Sequence, residues 1–261
     1  LTFHVPCKTD KVAGESLSEV IRVSKQDQNL GDCPELGGAL ESSEKGDRAA
    51  ALHDRLYPRI EAACIDRLRQ LAGSGRVLEL GVGSGRCAGR LTADGVRVVG
   101  VDRSRGMLAR AAAKCPGVDL VCADLAQLPF RGGFRLAVSL VDTLSLMPTI
   151  DALRNALRKI AEALEPGGTL VDESWRARTS PGAPRRIALS IPISDPDSES
   201  GSTLYRVRYW ELSQQCFEAL CAQAGLFLQA RWSTWGFRPV QDGRMPIVSI
   251  YSRQLVAPGT G

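Results

Sequence analysis

The chain has 261 residues, 44% hydrophobic and 24% charged, with a formal net charge of +4 and eight cysteines. That length buries one sizeable α/β core plus an appendage; no apolar run reaches membrane-span length and no signal-peptide pattern opens the chain, so a cytoplasmic protein without a membrane partner is expected. The modest charge gives no argument for nucleic acid, and cysteines without a Cys-x-x-Cys pair fit reduced core thiols better than a disulfide frame or a metal site.

In chain order, residues 1–45 are polar and charged, a flexible arm or a lid, in which only Leu17, Val20 and Ile21 hint at a short amphipathic helix. Helical signal begins near Asp47: Leu52 and Leu56 lie four apart, Pro58 opens a second stretch, and Ile60, Cys64, Leu68 and Leu71 repeat on one face. His53 lies four residues before Tyr57, so the two share a helix face. Gly73-Ser74-Gly75 then turns the chain into Arg76–Leu80, a strand buried on both faces that carries Glu79 and runs into Gly81, Gly83 and Gly85. A carboxylate in such a strand costs several kcal/mol unless it serves a partner. The glycines let backbone amides approach a ligand closely, as in a dinucleotide loop, but the third comes one residue too early for Gly-x-Gly-x-x-Gly.

Arg97–Asp102 is a second strand ending in a carboxylate about twenty residues past the glycines, where a ribose diol needs an acceptor pair. Ser104 caps a helix through Met107, Leu108, Ala111 and Ala112; Met107 serves either the core or a ligand face. Val118–Cys122 is a third strand, followed by Asp124-Leu125-Ala126, in which Asp124 either caps a turn or binds ligand. Phe134–Leu140 is a fourth strand, the helix around Leu153–Leu164 follows, and Glu165-Pro166-Gly167-Gly168 turns into a fifth. This ordered set, with Glu79-x-Gly81-x-Gly83-x-Gly85 at its head, resembles the class I S-adenosylmethionine-dependent methyltransferases over residues 76–174.

The resemblance implies S-adenosylmethionine as methyl donor, S-adenosylhomocysteine as product, and no metal. It implies a Rossmann-like α/β fold with seven strands in the order 3-2-1-4-5-7-6, strand 7 antiparallel. Residues 46–75 then supply helices covering the cofactor, and 76–261 form the methyltransferase domain. Carried onto this chain, the cofactor-binding set is Tyr57, Glu79, Gly81, Gly83, Gly85, Asp102, Arg103, Met107, Asp124, Leu125 and Ser139.

Past the fifth strand, Ile187–Ile193 and Thr203–Trp210 alternate as an antiparallel hairpin inside an insertion, 176–210, joined by the acidic turn 195–201. Such an insertion is similar to that of small-molecule methyltransferases acting on amino sugars and related natural products, where it builds a cap or a homodimer surface. A helix over Leu212–Ala224 and strands over Leu226–Thr234 and Pro246–Gln254 close the chain. Methyl transfer needs an aligned nucleophile and exclusion of water. An amine need only be neutral, whereas a hydroxyl usually needs a base. There are only two histidines, His4 and His53; His53 and Asp142 are the candidate catalytic groups. Trp175, Tyr209, Trp232, Trp235 and Phe237 are candidate pocket aromatics, and Arg178, Arg185, Arg186, Arg206 and Arg208 read best as a solvated face. The favoured reaction is N-methylation of a small natural product or modified peptide. O-methylation of a hydroxyl or carboxylate through His53 or Asp142 is the first alternative, a non-catalytic S-adenosylmethionine-binding scaffold the second, and a dehydrogenase a distant third.

Overall fold

The computed structural model describes Ile21–Arg22, residues 51, 53–55, 57, 60–176, 183–194, 201–236 and 246–254. The remainder of the 1–45 arm with His4, the positions of Leu52, Leu56 and Pro58, Arg178, the turn 195–200, the Arg206 side chain and the 237–245 segment with Phe237 lie outside the described residues.

The strands are β1 (Ile21–Arg22), β2 (Val77–Leu80), β3 (Val98–Asp102), β4 (Asp119–Cys122), β5 (Phe134–Ser139), β6 (Leu164–Ser174), β7 (Arg185–Ser194), β8 (Ser202–Glu211), β9 (Leu226–Ser233) and β10 (Ile247–Arg253). The helices α1 (Ala62–Ala72), α2 (Arg86–Ala93), α3 (Arg105–Lys114), α4 (Ile150–Ala163) and α5 (Gln214–Gln223) pack around them. The main sheet runs β1-β4-β3-β2-β5-β6-β10-β9. Strands β2 to β6 pair in parallel, and β10 is antiparallel to both β6 and β9. Without β1 this is the 3-2-1-4-5-7-6 order expected. The expected hairpin is present as a separate two-stranded sheet, β7 with β8.

Two local readings change. Ile21 belongs to a two-residue strand paired with Val121 and Cys122 of β4, not to a helix; the unpaired amides and carbonyls of an edge strand offer that template. The fifth parallel strand starts at Leu164, before the Pro-Gly-Gly turn, which appears as a register shift against β5.

Side-chain alternation along the parallel strands sorts the core into two layers. Leu78, Leu80, Val99, Val101, Ala137 and Leu170 face Leu153, Leu157 and Ile160 of α4 and Phe217 and Leu220 of α5. Val77, Val98, Leu136, Val138 and Val171 face α1, α2 and α3 through Cys64, Leu68, Ala88, Leu91, Leu108 and Ala111. None of the six described cysteines forms a disulfide. Among the described residues no helix is long and apolar enough to cross a membrane.

Gly100 of β3 packs tightly on the glycine turn, where a Cβ would lie 2.6 Å from Val82 Cγ2. Gly100→Ala is therefore expected to overpack this junction and lower unfolding free energy by about 1–3 kcal/mol, read by urea denaturation.

Candidate functional site

The carboxyl ends of β2, β3, β5 and β6 meet at one edge of the sheet, where an open α/β fold places its ligands. Leaving β2, the backbone takes left-handed conformations at Gly81, Gly83 and Gly85 (φ 68°, 54° and 84°). At Gly81 a Cβ would also collide with Thr143 Cγ2 at 2.6 Å, whereas at Gly83 its nearest neighbours would be His53 Cε1 and Met107 Sδ at 4.0 Å. The space beside Gly83 is thus open, bounded by two predicted site residues. Met107 is half-buried while Leu108 and Ala111 are fully covered, so Met107 serves this space and not the core.

Asp102 ends β3 and holds the loop: its Oδ2 accepts the Gly83 N–H at 2.9 Å and its Oδ1 the Ser104 N–H at 2.8 Å. Such charge-assisted bonds contribute about 1.5–3 kcal/mol each. Burial raises the Asp102 pKa, opposed by those amides. Glu79 is 4% exposed, and its Oε2 is buried without a hydrogen-bond partner. Burial pushes its pKa up to about 8, against the Ala88 backbone amide and the Arg86 guanidinium. Asp124 Oδ1 caps the 3-10 turn Leu125–Gln127 by accepting the Ala126 N–H at 2.8 Å, and Arg103 projects an exposed side chain beyond β3.

The segment at 53–57 covers the glycine loop. His53 and Tyr57 rings lie 5.0 Å apart and the Arg86 guanidinium lies 5.6 Å from the Tyr57 ring. Asp54, which the sequence does not single out, bonds Ser84 Oγ within the glycine loop and Lys114 Nζ on α3, with Arg110 Nη1 at 3.8 Å. Burial and the nearby Arg86 charge lower the His53 pKa to about 4, with Asp54 opposing.

Beyond β5, Val141 and Asp142 adopt left-handed backbone (φ 52° and 59°), at a cost of about 1–3 kcal/mol each. Glu173, at the end of β6, meets this turn: its Oε2 accepts the Val141 N–H at 3.0 Å, its backbone carbonyl the Asp142 N–H at 3.0 Å, and its Oε1 the Trp235 indole N–H at 2.8 Å. Burial raises the Glu173 pKa against the Val141 and Trp235 donors. Asp142 Oδ1 accepts the Ser145 hydroxyl at 2.6 Å and faces Arg176 Nη2 at 3.8 Å. Arg176, in turn, bonds Asp172 and stacks 3.5 Å from the Phe217 ring centroid.

Register separates these groups. Ser139 pairs with Leu80 and Asp172, so its hydroxyl, fully buried and without a partner, lies on the α4–α5 side. Glu79 and Glu173 lie on the opposite side, with α1 to α3. The aromatics do not form one wall: Trp235 is buried on Glu173, Trp232 takes the Arg67 guanidinium at 5.7 Å, and Trp175 is 41% exposed. Nor are the hairpin arginines all merely solvated. Arg186 donates to the Met147 and Pro148 carbonyls at 2.5 and 2.9 Å, beside Trp210 Nε1, which donates to Met147 at 3.0 Å.

The family model described as "Methyltransferase domain" matches residues 77–168. A demethylmenaquinone methyltransferase of Beutenbergia cavernae is 30% identical over 209 residues, 78% of this chain and 82% of that protein. Among solved structures, the CcbJ methyltransferase of Streptomyces caelestis is 25% identical with a TM-score of 0.60, covering 82% of this chain and 93% of its own. CalS10 of Micromonospora echinaspora, an amino pentose methyltransferase with bound S-adenosylmethionine, is 19% identical with a TM-score of 0.55, covering 84% and 99%. The chain belongs to the class I S-adenosylmethionine-dependent methyltransferases. The residues present fit the cofactor: an open cradle at Gly83, a carboxylate at the end of β3, and a buried carboxylate oxygen on Glu79 that lacks a partner of its own.

A His53 with a folded-state pKa near 4, below its ordinary value of 6.5, is neutral in the native protein where the unfolded chain takes up a proton. Its contribution to stability is present above 6.5 and is lost as pH falls toward 4. Between pH 7 and 5, wild type should lose about 2 kcal/mol more unfolding free energy than His53→Gln, measured by denaturant titration at both pH values.

Proposed function

We propose that the protein transfers the methyl group of S-adenosylmethionine to an amine of a small natural product or modified peptide. In this reading Asp102 receives the ribose hydroxyls, the Gly81–Gly85 amides and Glu79 hold the methionine end, and Met107, Asp124 and Leu125 enclose the adenine, with Tyr57 and Arg103 at the rim. Ser139 contributes through the strand end, since its hydroxyl lies on the other face of the sheet. The bound cofactor supplies an activated methyl on a sulfonium. The protein's own groups orient the acceptor and exclude water, and the 53–57 segment is placed to do the latter.

The observation that carries the amine reading is that neither candidate base, His53 or Asp142, is poised to take a proton. His53, with a pKa near 4, is too weak to take a hydroxyl proton effectively, and Asp142 Oδ1 is engaged by Ser145 with Arg176 alongside. A neutral amine needs no such base. An amino pentose methyltransferase is built on the same fold. The second reading is an acceptor of the demethylmenaquinone type, favoured by the 30% identical relative of that name.

The test is methylation of a panel of amines, followed by the mass of one added methyl group. The pH profile of kcat/KM should inflect at the acceptor's own pKa and move when an amine of different pKa is used; an inflection that stays fixed assigns the proton to a protein group and overturns the amine reading. Asp102→Asn leaves one of two amides unmet and should weaken S-adenosylhomocysteine binding about tenfold or more, roughly 1.4 kcal/mol, by calorimetric titration.

A further inference from the structure

Among the described residues, three non-glycine positions hold left-handed backbone: Val141, Asp142 and Thr234. Two of them are β-branched, for which this conformation is a genuine outlier. Glu173 bonds two of them directly and the neighbour of the third. Glu173 Oε2 takes the Val141 N–H, the Glu173 carbonyl takes the Asp142 N–H, and Glu173 Oε1 takes the indole N–H of Trp235, the residue directly after Thr234. The Thr234 N–H is itself tied to the Pro246 carbonyl at 2.9 Å, so the second turn is also anchored to the strand ladder. Strained backbone persists where its surroundings over-determine it, and it gathers at sites whose geometry matters to function.

The strained turns border the pocket. Thr143, directly after Asp142, closes on Gly81 of the glycine loop. Glu173 is half-buried on the same sheet face as Glu79, and the charges of Asp142 and Glu173 both act on Tyr57. One side of the site is thus the glycine loop, fixed by Asp102. Beside it stands the Val141–Asp142 turn, which has no glycine and no regular ladder to hold it.

We propose that Glu173 is a positioning residue whose carboxylate clasps the Val141–Asp142 and Thr234–Trp235 turns together and so fixes the acceptor side of the methyl-transfer site. The clasp needs two acceptor oxygens, one for each N–H donor. Glutamine keeps the shape but supplies one acceptor and an N–H₂ that faces a donor. The turn then relaxes toward ordinary backbone, and the acceptor is misaligned while the cofactor cradle on β2 and β3 is untouched. Misplacement by about 1 Å is enough to cost as much as a hundredfold in rate. The inference rests on the methyl-transfer reading for its kinetic test but not for its structural one.

The experiment compares wild type, Glu173→Gln, Val141→Gly and the double variant. Glu173→Gln should lower kcat at least tenfold, with S-adenosylhomocysteine affinity and the KM for S-adenosylmethionine within twofold of wild type. Glycine holds left-handed backbone unaided, so adding Val141→Gly should recover severalfold of the lost kcat. Unchanged kcat in Glu173→Gln, or equal loss of kcat and cofactor affinity without rescue, overturns the proposal. Amide hydrogen exchange at Val141 and Asp142 is measured on the same proteins without acceptor. Faster exchange in Glu173→Gln supports the clasp even if wild type methylates no amine, in which case the acceptor reading alone fails and the kinetic comparison moves to the acceptor that is turned over. Unchanged exchange overturns the clasp whatever the acceptor.

Discussion

The cofactor side of this protein depends on a backbone conformation that only glycine accepts cheaply, held by one carboxylate. Leaving β2, the chain turns through three left-handed glycines while Thr143 stands close on one side. Within the loop the Gly85 N–H donates to the Val82 carbonyl at 3.0 Å. Asp102 stabilises it by taking a backbone N–H on each oxygen, one from the loop and one from the start of α3. The same carboxylate therefore joins β2, β3 and α3. A ligand that presents hydroxyls to it meets a group already oriented by structure, so little ordering remains to be done on binding.

The alternation of side chains along a strand then divides the labour. Glu79 and Glu173 share one face, and between their strands lies β5, whose own polar terminus, Ser139, points to the other. On that far face Asp172 and Arg176 form a buried ion pair, with Arg176 laid on Phe217 and Asp172 Oδ1 unpartnered. Buried pairs of this kind are weak sources of net stability, but breaking one is costly. Arg176 also reaches Ser145 at 3.2 Å, so the pair's rigidity is passed to the 3-10 turn that follows Asp142. The turn is gripped from both faces of the sheet: by Glu173 on the cofactor side and by Arg176 beneath.

What could be read from sequence was what is local. Strand, glycine loop and terminal Asp102 lie within one supersecondary unit, and each leaves a pattern in composition and spacing. The same holds for the caps at Ser104 and Asp124, whose side chains bond backbone amides a few residues away. What could not be read joins distant positions. Asp54 and Ser84 are 30 residues apart, Glu173 and Val141 32, and Glu173 and Trp235 62. No periodicity marks such pairs, and a buried Arg176 in an Arg- and Pro-rich stretch looks like any solvated arginine until Asp172 and Phe217 are seen around it. Left-handed Val141 and Thr234 are illegible for a stronger reason, since local preference opposes them and only the tertiary contacts enforce them.

The two sides of the site consequently differ in how they can evolve. Cofactor geometry is set by left-handed glycines and an aspartate that lie close together in sequence, which is why it carries a motif. In the proposed reading the 140–148 segment forms the acceptor side, and that segment is held by elements from three other places in the chain. Glu173 of β6 holds its first turn, Arg176 its middle, and Trp210 and Arg186 of the β7–β8 hairpin hold the Met147 and Pro148 carbonyls at its end. Among the described residues, none of these anchors bonds Asp102 or the glycine loop. Acceptor geometry can therefore change through residues that never touch the acceptor, and the hairpin is one such lever, because it grips the segment through two backbone carbonyls whose recognition is independent of side-chain identity at 147 and 148.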